Sequence, residues 1–313
     1  MAKYTFLLPA FKTQYLHDAL NSIANQTFDD FECIVSDDCS PDDIRSVFEK
    51  AIGSDSRFTY RRNGYNLGAN SLVAHWNLLV GLCETDYLIM ASDDDFYAPT
   101  FLEEVERLTT MYPNVDLFRG RCNRINEEGI VFAEDNICIE FESQSDFLYE
   151  TYCHNRLKCI ANYVFKSQRL KEIGGFVDFP LAWGSDDATV ISISRNGVCN
   201  TSGVVFSFRC ANQNISSDWS IMAMTRKMQA KISNLIWFSS YKNYLKSDVT
   251  LLSECRLRSF ENYYVEECIS QIKLHSPMLN IKNAYNNFMF LKKSRYFYSR
   301  TEILCYWLSW LNK

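Results

Sequence analysis

The sequence predicts an α/β fold, a three-layer α/β/α arrangement around a mostly parallel sheet, followed by a C-terminal helical region. Strand-like and helix-like segments alternate over the first hundred residues, as in parallel strands joined by right-handed crossovers. The chain has 313 residues, 47% of them hydrophobic, which is enough for a large core. Eleven glycines and six prolines are too few for a disordered or collagen-like chain.

The first two strands are predicted on either side of a helix. Residues 4–8 are a short apolar run stopped by proline, as in a buried strand. Hydrophobic residues recur at helical spacing over 15–23, and residues 31–36 are strand-like again. A polar loop at 37–41 leads into a helix that we expect to end near Gly53, because glycine suits a helix C-terminus.

Two further strands continue the alternation, at 58–61 and 87–90, with a helix after Gly68 between them. The loops that follow the second and fourth strands are both acidic, and ligands of parallel sheets bind at the carboxyl ends of strands. The later elements are less regular: a helix over 99–112, strands at 115–118, near 159–165 and at 204–209, and then helices to the end.

Charge and cysteine usage limit the possible partners. The net charge of −6 argues against a nucleic-acid partner. Residues 1–220 carry 18 basic and 32 acidic side chains, whereas residues 221–313 carry 14 and 6. None of the twelve cysteines form a C-x-x-C pair, so we expect reduced thiols and a cytoplasmic protein, without a membrane-spanning segment.

Acidic residues cluster at three places: Asp37-Asp38, Asp93-Asp94-Asp95 and Asp186-Asp187. Neighbouring carboxylates raise one another's pKa unless a cation relieves them. A divalent metal with oxygen ligands would do so, and solvated turns or helix N-caps would account for the same pattern. Spacing alone leaves both readings open.

Several ordered motifs resemble the family 2 glycosyltransferases with the GT-A fold, a Rossmann-like architecture. The resemblance spans about residues 3–216. The motifs are Leu7-Leu8-Pro9-Ala10-Phe11, Ile34-Val35-Ser36-Asp37-Asp38, Asn66-Leu67-Gly68-Ala69, Tyr87 to Asp95, Trp183-Gly184-Ser185-Asp186-Asp187 and, more weakly, Phe208-Arg209 to Asn214-Ile215-Ser216.

The resemblance implies a donor site. Asp38 would hydrogen-bond the base of the nucleotide, and Pro9 and Phe11 would line it; an N-cap role for Asp38 and a core role for Phe11 stay open. Asp93 would approach the ribose or the metal, and Asp94 would ligate the metal. The remaining donor-binding candidates are Arg61, Gly68 and Arg209.

Two departures from the family pattern leave the ligand set open. The usual first Asp of the D-x-D motif is Ala91, and the His that often follows the late Arg by two positions is Ala211.

The third acidic cluster resembles the catalytic pair of the family. Sugar transfer with inversion needs a general base that takes the proton from the acceptor hydroxyl. Asp187 is our candidate for this base, and Asp186 remains the alternative. We expect Asp186 and Trp183 to bind the acceptor, the latter by offering a ring face to a sugar. A helix start with two first-turn carboxylates would explain the same residues.

The C-terminal region, residues 217–313, is predicted to be a helical, basic and aromatic-rich accessory region beside the catalytic domain of residues 1–216. Interleaved aromatic and basic residues suit a helix at an anionic membrane surface. A helical bundle with a solvated basic side explains them equally well. Contact with the inner face of the cell membrane through 221–313 therefore stays open.

The resemblance as a whole implies a metal-dependent, inverting glycosyltransferase of polysaccharide biosynthesis, using Mn²⁺ or Mg²⁺. The donor would be a nucleotide-diphosphate sugar, with a UDP-sugar favoured, and the acceptor a saccharide or lipid-linked saccharide hydroxyl. One alternative is a catalytically silent nucleotide- or carbohydrate-binding protein. Another is a sugar-phosphate nucleotidyltransferase, which is disfavoured because residues 7–14 contain no glycine for a phosphate loop.

Overall fold

The structure is a computed structural model, and it describes residues 2–211, 214–245 and 250–275. Within these ranges the strands are β1 (Tyr4–Ala10), β2 (Phe31–Asp37), β3 (Phe58–Arg62), β4 (Tyr87–Met90), β5 (Phe96–Tyr97), β6 (Leu117–Ile125), β7 (Val131–Glu134), β8 (Phe141–Glu142), β9 (Tyr163–Lys166) and β10 (Val198–Arg209). The α-helices are α1 (Leu16–Ala24), α2 (Ile44–Ile52), α3 (Leu72–Leu82), α4 (Phe101–Met111), α5 (Gln144–Leu148), α6 (Ser167–Glu172), α7 (Ser185–Ile193), α8 (Ile221–Tyr241) and α9 (Leu251–His275).

All the described strands belong to one sheet, whose main path is β3-β2-β1-β4-β9-β6-β10-β5. The first four neighbours are parallel, and the predicted α/β fold class is confirmed. The second half is mixed, because β9 runs antiparallel to both β4 and β6 while β10 is parallel to β6. Antiparallel neighbours need no helical crossover, and in this half β6 is accordingly followed directly by its antiparallel neighbour β7.

Strand β6 is longer than the predicted segment at 115–118. Its middle contains Arg119 and Arg121, which break the apolar pattern of a buried strand. Arg119 is nevertheless fully buried, where it forms an ion pair with Asp135. A partner elsewhere in the fold thus pairs with a charge that interrupts the apolar pattern after the predicted segment.

The sheet separates two hydrophobic cores, as a three-layer architecture requires. Side chains alternate along β1, so that Phe6 and Leu8 face one core and Leu7 faces the other. Helices α1, α2 and α4 cover the first core. Helices α3, α7, α8 and α9 contribute to the second.

The C-terminal helices share this second core with the sheet. Phe238 of α8 and Phe260 of α9 are fully buried there, in the same cluster as Leu7 and Val73. The division at residue 216 remains a prediction. Within the described residues, no helix combines the length and apolarity needed to cross a bilayer. The aromatic and basic stretch at 291–311 lies outside the described residues.

Candidate functional site

The parallel strands bring the acidic loops together at one edge of the sheet. Ala10 at the end of β1 is paired with Asp37 of β2, and Leu7 is paired with Met90 at the end of β4. The loops that follow these strands border a cleft of about 530 Å³. Its lining includes six residues predicted from the sequence: Pro9, Phe11, Asp38, Gly68, Asp93 and Asp94.

Asp38 holds one wall of the cleft in place. Its Oδ1 accepts hydrogen bonds from Asn63 Nδ2 and from the Leu67 amide, both at 2.9 Å. Its Oδ2 accepts from the Gly68 amide at 2.7 Å. A Cβ at position 68 would lie 3.0 Å from the same oxygen, so glycine permits this close approach. Asp38 is almost fully buried and still borders the cleft, where a carboxylate can accept a further hydrogen bond.

Asp93 ties the loop after β4 to the loop after β1. Its Oδ2 accepts from the amides of Phe11 at 2.9 Å and Lys12 at 2.8 Å. Burial raises the pKa of Asp93 above its usual range, while the Lys12 charge acts in the opposite direction. The Phe11 ring is 39% exposed and forms part of the cleft wall. The structure therefore fixes the backbone beneath this ring and leaves its face accessible.

Lys12 is a site residue that the sequence analysis missed. Its ammonium lies 2.9 Å from Asp94 Oδ2 and 3.6 Å from Asp93 Oδ1. Burial alone would lower the pKa of Lys12, but the two carboxylates raise it above its usual range. The only sequence signal was a lysine directly after the Pro9 to Phe11 motif.

The two carboxylates that contact Lys12 could hold a metal ion. Oxygens of Asp93 and Asp94 converge on one cation, and Mg²⁺ or Mn²⁺ commonly takes one or two carboxylates with phosphates and water. In the part of the chain that the structure describes, no group of three or more His, Cys, Asp or Glu is arranged as a metal site. The residues present fit a metal that completes its shell from the substrate.

Asp95 and Arg209 connect β10 to the acidic loop. Asp95 Oδ1 accepts from the Arg209 amide at 2.9 Å, and burial raises the pKa of Asp95 to about 8. The Arg209 guanidinium donates to the carbonyls of Asp94 and Glu127 and lies 4.3 Å from the centre of the Tyr15 ring. These contacts occupy Arg209 within the protein, and neither Arg209 nor Arg61 is among the residues that line the cleft.

A second cavity, of about 300 Å³, contains the predicted base. Asp187 lies in the first turn of α7, and its Oδ1 accepts from Tyr152 Oη at 3.0 Å and from Lys158 Nζ at 2.5 Å. Residues Cys159 and Ile160, next along the chain, line the first cleft instead. The segment 158–160 thus borders both cavities.

The two carboxylates of this pair have different protonation behaviour. Burial would raise the pKa of Asp187, yet the charges of Lys158 and Lys231 hold it below its usual range. Burial and the neighbouring Asp187 raise the pKa of Asp186 to about 6. Asp187 is therefore the more acidic carboxyl of the pair, and its ionised form is held in place by two donors.

Trp183 and Asp186 line neither cavity. The Lys227 ammonium lies 4.7 Å from the centre of the Trp183 ring, and Asn234 Nδ2 donates to the Trp183 carbonyl at 3.1 Å. Lys227 therefore lies over the Trp183 ring, on which we expected a sugar to stack. The roles of both residues stay predictions.

Comparison with known proteins gives a family for the N-terminal part. Residues 5–125 match the family model described as Glycosyl transferase family 2. A curated relative, the GalNAc(5)-diNAcBac-PP-undecaprenol beta-1,3-glucosyltransferase of Campylobacter jejuni, is 36% identical over 97 residues, 30% of each chain. An uncharacterized glycosyltransferase of Haemophilus influenzae is 27% identical over half of each chain. The chain thus spans between about 30% and half of these curated relatives.

Solved structures with the same fold cover more of the chain. S. aureus TarS (1–349) in complex with UDP-GlcNAc has a TM-score of 0.57 at 15% identity, over 88% of this chain and 86% of that one. The mannosyltransferase PcManGT from Pyrobaculum calidifontis, in complex with GDP-Man and Mn²⁺, has a TM-score of 0.52 at 14% identity, over 99% and 87%. At such identities the likeness shows the fold.

Proposed function

Since residues 5–125 match the model of glycosyl transferase family 2 and the fold is that of GT-A glycosyltransferases, we propose that this protein transfers a sugar from a nucleotide-diphosphate donor to a saccharide hydroxyl. One observation carries the proposal. Asp38, Asp93 and Asp94 come from loops far apart in the sequence and line a single cleft at the carboxyl ends of parallel strands. Ligands of such sheets bind at this edge.

The donor occupies the 530 Å³ cleft in this proposal. The exposed face of Phe11 stacks on the base, since every nucleobase offers a π-face. Three protein donors already bind the Asp38 carboxylate, which has a further lone pair that can accept a hydrogen bond from the base. We favour a UDP-sugar, since the imide N–H of uracil is the donor that such a carboxylate requires.

Asp93 and Asp94 would hold Mn²⁺ or Mg²⁺, as Lewis acid for the departing diphosphate. The Lys12 ammonium contacts the same two carboxylates and would compete with the metal for them. The Asp93 hydrogen bonds to the amides of Phe11 and Lys12 keep the base-stacking ring in register with these carboxylates.

Asp187 is the general base of the proposed reaction. Tyr152 and Lys158 both bind its Oδ1, which leaves Oδ2 to accept the proton of the acceptor hydroxyl. The lowered pKa of Asp187 keeps it ionised at neutral pH, where burial alone would favour the protonated form. Attack from the face opposite the nucleotide inverts the anomeric centre. Tyr152 and Lys158 act as positioning residues.

The proposed acceptor is suggested by the name of one relative. The Campylobacter jejuni relative is named for a lipid-linked saccharide acceptor. We infer an acceptor that is a saccharide or lipid-linked saccharide in polysaccharide biosynthesis. Peripheral contact of a cytoplasmic protein with the inner membrane face would bring the enzyme to such an acceptor.

The test is a thermal-shift panel of UDP, GDP, dTDP and CMP, each with and without Mn²⁺. A ligand at 100 times its dissociation constant stabilises the fold by about 2.7 kcal/mol, a clear shift in Tm. We expect UDP to stabilise the wild type more with Mn²⁺ than without. Asp94→Asn should lose the Mn²⁺-dependent part of this shift.

The matched control is Asp86→Asn, which removes an exposed carboxylate at the opposite end of β4. It should keep the wild-type response. If no nucleotide shifts the Tm of the wild type, with or without metal, the proposed donor site is refuted. A shift by GDP alone would keep the transferase and overturn the choice of UDP.

A further inference from the structure

The second cavity differs from the donor cleft in the sign of its charges. Four carboxylates, Asp38, Asp93, Asp94 and Asp95, line the donor cleft together with one lysine, Lys12. The second cavity is lined by the basic side chains of Arg124, Arg156, Lys158 and Lys231, against the acidic ones of Asp187 and Glu267. An excess of basic side chains in one cavity of a protein with net charge −6 favours the binding of an anionic ligand there.

Two of the four cations are not ion-paired within the described part of the chain. Arg156 forms two hydrogen bonds to Glu142, at 2.7 and 2.8 Å, and Lys158 is paired with Asp187. Among the described residues, Arg124 and Lys231 make no ion pair or side-chain hydrogen bond. Their charges are available to a ligand.

Lys231 is close enough to the proposed base to affect it, because its charge contributes after that of Lys158 to lowering the pKa of Asp187. An anionic group bound by Lys231 would therefore lie near the carboxylate that accepts the proton. Helix α9 completes the wall with Tyr263, Tyr264 and Glu267. Tyrosine rings offer both apolar faces and hydroxyls, a combination that suits a sugar ring.

We infer that this cavity is the acceptor subsite, and that the acceptor saccharide bears an anionic group, a phosphate or a carboxylate, bound by Lys231 and Arg124 while its hydroxyl faces Asp187. The acceptor role rests on the proposed function. The volume of the second cavity, about 300 Å³, corresponds to roughly ten water molecules. This is room for one substituted sugar residue.

Binding to the full chain would be measured by calorimetry with three probes: methyl glucoside, glucose 6-phosphate and methyl glucuronide. Exposed charge pairs contribute less to binding affinity than buried ones do. We therefore expect a moderate preference, with at least one anionic probe binding about fivefold or more tightly than the neutral glucoside. Preference for the phosphate or for the glucuronide identifies the anionic group. Equal binding of the neutral probe and both anionic probes refutes the inference.

Variants assign the binding to this cavity. Lys231→Gln and Arg124→Gln should each weaken the preferred anionic probe by about threefold or more, an effect typical of one partly exposed charge. Lys50→Gln, the same change at an exposed position of α2, and Lys12→Gln in the donor cleft should leave it unchanged. Unchanged affinity in the first two variants, or an equal loss in Lys12→Gln, overturns the assignment.

The outcome is separable from that of the proposed function. Nucleotide binding is measured at the other cavity, so its failure would refute the transferase while the anionic probe still reports on this one. In the active enzyme, Lys231→Gln should raise the KM for the acceptor and leave the KM for the donor unchanged. A rise in the donor KM alone would contradict the acceptor assignment.

Discussion

Replacing Lys158 with methionine should move the acidic limb of the pH–rate profile upward. The Lys158 ammonium lies 2.5 Å from Asp187 Oδ1, and the two side chains are 30% and 16% exposed. It stabilises the ionised carboxylate, so its removal raises the pKa of Asp187. Below that pKa the base is protonated and the rate falls, whereas above it the rate is retained.

The size of the shift follows from what remains around Asp187. A neighbouring opposite charge shifts a carboxylate by about 1–3 pKa units. Lys231 and the Tyr152 hydroxyl still favour the ionised form, and partial exposure screens the lost charge. We therefore expect a rise of about 1–2 units, equivalent to about 1.4–2.8 kcal/mol. Asp186 lies next to Asp187 in the sequence and has a pKa of about 6, so the acidic limb reports both carboxylates.

The assay is kcat/KM for sugar transfer between about pH 3 and 9, for the wild type and three variants, because the wild-type limb lies at or below the usual carboxyl range. Lys158→Arg keeps the charge and should restore most of the wild-type profile. Lys50→Met removes an exposed lysine from α2 and should leave the profile unchanged. An acidic limb that stays in place in Lys158→Met, or that moves as far in Lys50→Met, would show that Asp187 is not the titrating base.

Three further predictions concern the framework of the site. Asp38→Ala deprives three donors of their acceptor and should lower the free energy of unfolding by about 1–3 kcal/mol in urea denaturation, so an unchanged midpoint would contradict its anchoring role. Gly184→Ala places a Cβ 2.5 Å from Asn234 Oδ1 at a φ of +85° and should cost about 1–3 kcal/mol, whereas Gly64→Ala, with nothing within 4 Å, should be close to neutral by the same measurement. Lys12→Gln removes the cation that competes for Asp93 and Asp94, so Mn²⁺ should bind about tenfold more tightly by calorimetry, about 1.4 kcal/mol, and weaker binding would contradict the competition.

The parallel half of the fold was predictable because its strands are buried on both faces. Such strands are near-continuous apolar runs, and β1 and β4 are of this kind. The mixed half of the sheet was less predictable. Arg119 interrupts the apolar pattern of β6, and the burial of Arg119 depends on Asp135, sixteen residues away. Local pattern cannot contain a partner that only the tertiary fold supplies.

The candidate site divides in the same way. Its carboxylates stood out as consecutive acidic residues at predicted strand ends, and the structure places Asp38, Asp93 and Asp94 in one cleft. Their roles toward a donor stay predictions. Lys12 and Lys158 escaped notice because each is a single lysine whose carboxylate partner is 82 or 29 residues away. Periodicity and short motifs carry no information on such pairs.

The shared core of the C-terminal helices has a consequence for how the protein can be handled. A fragment that stops at residue 216 would uncover the apolar surface that Phe238 and Phe260 now shield, and we expect it to aggregate. The second cavity is lined by Lys158 and by residues of α8 and α9, so we expect its occupant to contact both C-terminal helices. Occupancy should therefore slow proteolysis of the two helices, which makes protease resistance a label-free report of acceptor binding.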